Sequence, residues 1–334
     1  MSIPITIIVP TLNEQSHIKE CLESLRQQDY QNIVEILVID GGSTDGTQEA
    51  VLAEGRNVRL LDNPRVTAAS AMNIGINAAT TDVFIRIDAH TLYAKDYVSR
   101  SVASFSEFNA QVVGGLMRPI GTSPFGKAVC AVTTSPFGVG PGKFHFSEKL
   151  EEVETVYLGI FDRSFVLQVG GYDEVNLQWA AEDQELNFRI RQAGGKVLLD
   201  PRIHSTYFPR DTPRALARQY HNYGMCKAST LAKHKTLPYW RPLAPAIMVF
   251  LSILWAFGML LLSEPVGALL PFILYITAAF GVGMWLGRDQ KGSRFRISVA
   301  LSICHWTYGF GFLRGILRIV TFRKFDSRPK NGRR

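Results

Sequence analysis

Through the first two hundred residues, short and almost uninterrupted apolar runs alternate with amphipathic stretches. Residues 5–9, 36–39, 58–61 and 83–87 are apolar nearly throughout, as strands buried on both faces are. Between them, residues 16–28, 45–54 and 67–79 carry apolar side chains at helical spacing. The alternation predicts an α/β fold: a mostly parallel central sheet covered by helices, with ligands at the carboxyl ends of the strands. Polar clusters fall at those ends, at 10–14, 40–46, 63–65 and 88–90. Residues 118–155 are rich in Gly, Pro, Phe and Ser, have poor periodicity, and read as a mobile loop over the site. Beyond them the pattern predicts a strand at 156–161, a short helix at 163–169, a turn at Gly170-Gly171 and a helix near 180–193.

After residue 211 the pattern changes. Residues 213–235 form a basic amphipathic stretch suited to an anionic membrane surface. Residues 243–262 and 266–286 are two apolar runs of about 20 residues, the length that crosses a hydrocarbon core. Ser263-Glu264-Pro265 joins them without a Lys or Arg, whereas Arg288, Lys291, Arg294 and Arg296 follow the second run. The positive-inside rule makes this a hairpin that leaves and re-enters the cytosol. Residues 297–320 are apolar but interrupted by Arg314 and Arg318, and a basic tail, 321–334, follows. An interfacial or re-entrant helix fits better than a third transmembrane crossing, which would put the basic tail outside. The predicted organisation is a catalytic domain, 1–211 (a donor segment, 1–117, and an acceptor segment, 156–211), then an interfacial segment, 212–240, and the apolar helices.

Charge sharpens this division. Residues 1–211 hold 18 Lys/Arg against 26 Asp/Glu, and residues 212–334 hold 18 against 3, so the net +7 of the 334-residue chain conceals two unlike halves. A hydrophobic share of 46% excludes a disordered chain. Basic residues that bracket long apolar runs point to a membrane and away from nucleic acid. Cys21, Cys130, Cys226 and Cys304 have no metal-ligand spacing and read as reduced thiols. The N-terminus lacks the basic n-region of a signal peptide, so the catalytic domain is expected in the cytoplasm.

Chemistry concentrates in a few places. Pro10-Thr11-Leu12-Asn13-Glu14 ends the first strand. Asp40-Gly41-Gly42-Ser43-Thr44-Asp45-Gly46-Thr47 ends the second, and its leading carboxylate suits a nucleobase imide or a hydroxyl. No GxGxxG opens a helix after the first strand, which disfavours a dinucleotide site. Asp88-Ala89-His90 places a carboxylate and an imidazole two residues apart, pointing the same way if the chain is still extended, as a clamp on a divalent ion requires. Glu182-Asp183, beside Trp179, opens a helix. The pair suits either favourable helix-dipole placement or a general base near a sugar-stacking ring.

As an ordered series, Pro10–Glu14, Asp40–Thr47, Met72-Asn73-Ile74-Gly75, Asp88–His90, Gly170-Gly171-Tyr172-Asp173-Glu174 and Glu182-Asp183 resembles the family 2 inverting glycosyltransferases of the GT-A fold, over about residues 3–210. The basic stretch, with Arg218-Gln219-Tyr220 and Tyr223-Gly224, and the C-terminal anchor resemble the membrane-anchored enzymes of succinoglycan-type exopolysaccharide synthesis. The resemblance implies transfer of a sugar, glucose among the candidates, from a UDP-sugar to a polyprenyl-diphosphate-linked glycan at the inner membrane. Thr11, Asn13, Glu14 and Asp40 would hold the uridine, and Asn73 and Arg65 the ribose and diphosphate. Asp88 would take the metal, Mn²⁺ or Mg²⁺, and Asp183 would be the base with Glu182 beside it. Trp179, Arg218, Gln219 and Tyr220 would serve the acceptor side.

His90 stands where many relatives have Asp, so it either ligates the metal, favouring Mn²⁺, or contacts phosphate. The Gln-x-x-Arg-Trp motif of processive synthases is missing, which favours one sugar per encounter. Two alternatives remain: a polyprenyl-phosphate monosaccharide synthase, and an inactive nucleotide-sugar-binding subunit of an assembly complex.

Overall fold

The computed structural model describes residues 2–55, 57–140, 142–177, 181–235, 241–288 and 293–322. The chain forms two compact units, Met1–Arg118 with Gly142–Phe208, and Pro119–Pro141 with Pro209–Arg334.

The first unit is built on strands β1 (Ile5–Thr11), β2 (Ile33–Asp40), β3 (Val58–Asp62), β4 (Val83–Arg86), β5 (Thr91–Tyr93), β6 (Val112–Pro119), β7 (Glu151–Glu152), β8 (Tyr157–Asp162) and β9 (Val197–Tyr207). Helices α1 (Ile18–Arg26), α2 (Thr47–Leu52), α3 (Ala68–Ala78) and α4 (Tyr97–Phe108) cover them. One sheet results, ordered β3-β2-β1-β4-β8-β6-β9-β5, with β7 paired to β9. β3, β2, β1 and β4 run parallel, and β8 joins β4 antiparallel.

Side-chain alternation divides each parallel strand between two cores. Ile5, Ile7, Val9, Ile36, Val38 and Ile85 pack with Cys21, Leu22, Leu25 and Val98 of α1 and α4. Ile8, Leu37, Ile39 and Phe84 pack on the other face with Met72 and Ile76 of α3. The same face receives α7 (Arg163–Gln168) and α8 (Glu182–Gln192) through Val166, Leu186 and Ile190. The runs are apolar throughout because both faces are covered. Parallel register then brings Thr11 level with Asp40, and Asp40 level with Asp62, at the strands' carboxyl ends.

The second unit holds α5 (Pro124–Thr133), α6 (Pro136–Val139), α9 (Pro213–His234), α10 (Ala244–Leu261), α11 (Leu270–Leu286) and α12 (Arg294–Phe322). The mobile loop expected over 118–155 is therefore not what forms. Residues 124–133 and 136–139 are helical, each started by a Ser that caps the helix ahead of a Pro at its first position. Val129 and Val132 pack with Leu216, Ile297 and Leu301 in the core of this unit, so 119–141 groups with the C-terminal helices and not with the domain 1–211.

Residues 297–320 lie within one 29-residue helix, α12. Glycines on both helices let α12 and α9 approach: a Cβ on Gly311 of α12 would lie 2.0 Å from the His221 carbonyl oxygen, and one on Gly224 of α9 would lie 2.1 Å from that of Tyr308. Small residues at such crossings are typical of helices packed in membranes. Among the described residues two helical stretches, Arg241–Leu261 and Gly267–Leu286, are long and apolar enough to cross a membrane. Only 17% and 11% of their most apolar windows are buried, leaving Phe250, Leu254, Phe257, Ile273 and Ile276 exposed. The four cysteines are free.

Candidate active site

Two loops at the ends of β1 and β2 are stitched together. The Asn13 amide donates to Ser43 Oγ at 2.8 Å, and Asn13 Oδ1 accepts from the Thr44 amide at 2.9 Å. The Glu14 amide donates to Thr47 Oγ1 at 2.9 Å. Asp40 is buried and accepts from Thr11 Oγ1 (3.3 Å), the amides of Gly42 (3.0 Å) and Ser43 (2.8 Å), the Ser43 hydroxyl, and Gln48 Nε2 (2.6 Å). Burial alone would raise its pKa, but these donors, Ser43 foremost, hold it below the usual carboxylate range. Thr11, Asn13, Glu14 and Asp40 thus form one cluster. Asp40 spends its acceptor capacity on shaping the loop.

Asn73 and Arg65 meet on a different partner. Asn73 Nδ2 donates to the Tyr172 carbonyl (2.9 Å) and to Glu174 Oε1 (2.7 Å), while its Oδ1 accepts from the Tyr172 amide at 2.8 Å. Arg65, largely exposed, is ion-paired with Glu174. Asn73 therefore latches the 170–174 turn onto α3. Gly171 is required there, since its φ is +67° and a Cβ would lie 2.6 Å from Asn73 Oδ1.

The sharpest electrostatic feature is a residue that sequence reasoning missed. Arg86 ends β4, two positions after Phe84, with only 6% of its side chain exposed. It is ion-paired with Asp183, reaches Glu182 Oε1 at 3.1 Å and Asp88 Oδ1 at 3.4 Å, and lies 5.9 Å from the ring centroid of Tyr172. An Arg within an otherwise apolar strand was the available signal, because a charge in a buried strand demands partners.

Glu182 and Asp183 open α8 after Ala181, whose φ is +62°. Neither carboxylate turns back to cap the helix; both are committed to Arg86. Asp183 is the more open of the two, with 22% of its side chain exposed against 10% for Glu182, and so the more accessible from solvent. Burial pushes the Asp183 pKa up to about 7. Arg86 opposes that rise, and Glu182 and Asp88 reinforce it.

β4 ends at Arg86, and Asp88–His90 lies in a turn closed by the Thr91 amide on the Asp88 carbonyl (3.2 Å). Strand alternation therefore no longer argues that the two side chains point together. His90 Nδ1 sits 3.3 Å from Glu14 Oε1. Among the described residues the Asp88 carboxylate meets only long contacts, 3.4 Å to Arg86 and 3.4 Å from the Tyr157 hydroxyl. No three Asp, Glu, His or Cys side chains among the described residues are grouped so as to hold a metal ion by themselves. A loosely held carboxylate, with His90 two residues on as a second candidate ligand, would suit a divalent ion such as Mg²⁺ or Mn²⁺.

Trp179 lies outside the described residues. Arg218, Gln219 and Tyr220 stand on α9 in the second unit. Gln219 Nε2 donates to the Tyr223 hydroxyl at 3.0 Å, Tyr220 is buried in that unit's core, and Arg218 is exposed.

Comparison with known proteins converges on one family. Residues 6–149 match the profile of glycosyl transferase family 2. The succinoglycan biosynthesis protein ExoA of Rhizobium meliloti is 32% identical over 93% of this chain and 94% of its own length. A Methanococcus voltae dolichyl N-acetyl-α-D-glucosaminyl phosphate 3-β-D-2,3-diacetamido-2,3-dideoxy-β-D-glucuronosyltransferase is 24% identical over 94% of this chain and 97% of its own. In fold, the chain is similar to the mannosyltransferase PcManGT of Pyrobaculum calidifontis, solved with GDP-Man and Mn²⁺. The TM-score is 0.56, with 21% identity over 92% of this chain and 88% of that one.

Proposed function

Because the chain belongs to glycosyl transferase family 2, and is therefore a glycosyltransferase of the GT-A fold, we propose that it moves one sugar, glucose in this reading, from a UDP-sugar onto a hydroxyl of a polyprenyl-diphosphate-linked glycan in exopolysaccharide synthesis. The carrying observation is the Asp183 carboxylate: largely withdrawn from water, yet the more open of the pair, and fixed beside the strand end that bears Asp88. ExoA, named for succinoglycan biosynthesis, and a relative named for a dolichyl-linked sugar phosphate support the acceptor class.

In this reading Asp183 takes the proton of the acceptor hydroxyl as that oxygen attacks the anomeric carbon. The bond from that carbon to the diphosphate oxygen breaks, its electron pair leaves on the nucleoside diphosphate, and the centre inverts. Asp88, with His90 as the second candidate ligand, would hold the divalent ion. When bound, the ion neutralises charge on the departing diphosphate. Thr11, Asn13, Glu14 and Asp40 form the uridine pocket, whose shape the Asp40 hydrogen bonds preset. Arg65 can exchange Glu174 for a phosphate, and Asn73 acts through the turn it holds. The spans Arg241–Leu261 and Gly267–Leu286 anchor the enzyme in the inner membrane with its catalytic unit in the cytoplasm, and exposed Arg218 faces anionic headgroups.

A screen of radiolabelled UDP- and GDP-sugars on membranes containing the protein tests this. The expected result is one UDP-sugar labelling a lipid-extractable glycan, dependent on Asp183. Transfer to lipid phosphate at an undiminished rate in Asp183→Asn would instead mark a polyprenyl-phosphate sugar synthase. Neither transfer nor donor hydrolysis would mark an inactive subunit.

A further inference from the structure

A guanidinium withdrawn from water is costly unless strong partners surround it, and a scaffold is served as well or better by apolar side chains of similar volume. Position 86 nevertheless carries one, on the strand face where Phe84 continues into the apolar core and stacks 5.0 Å from Phe161. Its partners are not spread over the fold. All three carboxylates it touches, Asp88, Glu182 and Asp183, belong to the candidate site, and the aromatic ring over it, Tyr172, belongs to the turn latched by Asn73. Without this cation, three carboxylates would crowd a poorly hydrated corner and push one another apart.

We infer that Arg86 is a positioning residue of the transfer reaction. Its guanidinium fixes the Asp183 carboxylate in place for proton abstraction. The same group ties that carboxylate to Asp88, so the base and the diphosphate end of the site are held at one spacing. Arg86 acts through Asp183 and not on substrate. The inference rests on the reading of Asp183 as the base. Lys at 86 keeps the charge but loses the fork that reaches three carboxylates together.

The test compares Arg86→Lys and Arg86→Gln in the full-length enzyme, each alone and combined with Asp183→Asn, reading kcat, donor KM and UDP affinity. Arg86→Lys is expected to lower kcat about tenfold and Arg86→Gln about a hundredfold, the lower end of what losing a general base costs. Donor KM and UDP affinity should stay within threefold. In the Asp183→Asn background neither substitution should add a further loss, because residues that act as a unit are not additive. Should Arg86→Gln not accumulate as folded protein, Arg86→Lys decides. Should the Asp183→Asn rate fall below detection, the kcat–KM split decides. Wild-type kcat in Arg86→Lys, a donor KM that rises by the factor kcat falls, or equal proportional losses in both backgrounds would each overturn the positioning role alone. A near-normal rate in Asp183→Asn would overturn the base assignment itself.

Discussion

Arg86 and Asp183, 97 residues apart in the chain, form an ion pair between the last residue of β4 and the first turn of α8. The strand end reaches Asp88 and the helix start supplies the candidate base, so one guanidinium spans both halves of the proposed chemistry.

Transfer is expected to show an acid limb. A carboxyl base works only when ionised, and burial pushes the Asp183 pKa from an ordinary 3.8 up to about 7. At pH well below 7 the carboxyl holds its proton and transfer is slow; kcat rises through about pH 7 and levels off above it. The pH profile of kcat at saturating donor and acceptor measures this, and a limb centred near pH 4 would contradict it.

Asp88→Ala should abolish transfer, since the diphosphate would depart without its counter-ion. His90→Asp should retain activity and move the optimum from Mn²⁺ towards Mg²⁺, because a carboxylate is a harder ligand than imidazole. Titrating each metal against the rates of both proteins checks this. An unchanged preference would assign His90 to Glu14 or to phosphate instead.

Gly171→Ala should cost about 1–3 kcal/mol, because it forces an L side chain into a left-handed conformation and against Asn73. Thermal unfolding of the solubilised protein should show a lowered midpoint, with a smaller shift when Asn73→Ala has already removed the obstacle. Equal shifts in both backgrounds would mean the latch is unimportant.

Reporter fusions after residue 264 should read periplasmic, and fusions after 292 and at the C-terminus cytosolic. A periplasmic C-terminus would mean that α12 crosses the membrane.

The four parallel strands were legible because both sheet faces are covered, leaving continuous apolar runs with polar residues at their ends. β6 and β9 carried no such mark: Gly114-Gly115 interrupts the first, and Asp200-Pro201 the second. The apolar C-terminal helices were legible from length alone. α5 and α6 were hidden in Gly- and Pro-rich sequence, although Ser123-Pro124 and Ser135-Pro136 are capping signals. Asp183 and Asp88 could be named as candidates from their motifs, but Arg86 could not be tied to them. Its partners are neighbours only once β4 and α8 pack, and no spacing in the chain encodes that meeting.

The most direct measurement is the transfer rate of Asp183→Asn in enzyme whose UDP affinity is shown to be intact. The substitution keeps the shape of the side chain and removes its basicity, so folding and donor binding are left largely alone. A fall of about 10²- to 10⁴-fold is expected, with UDP affinity within a fewfold of wild type and a smaller loss in Glu182→Gln. Near-full activity in Asp183→Asn, or a dead Glu182→Gln beside an active Asp183→Asn, would contradict the assignment of Asp183 as the base.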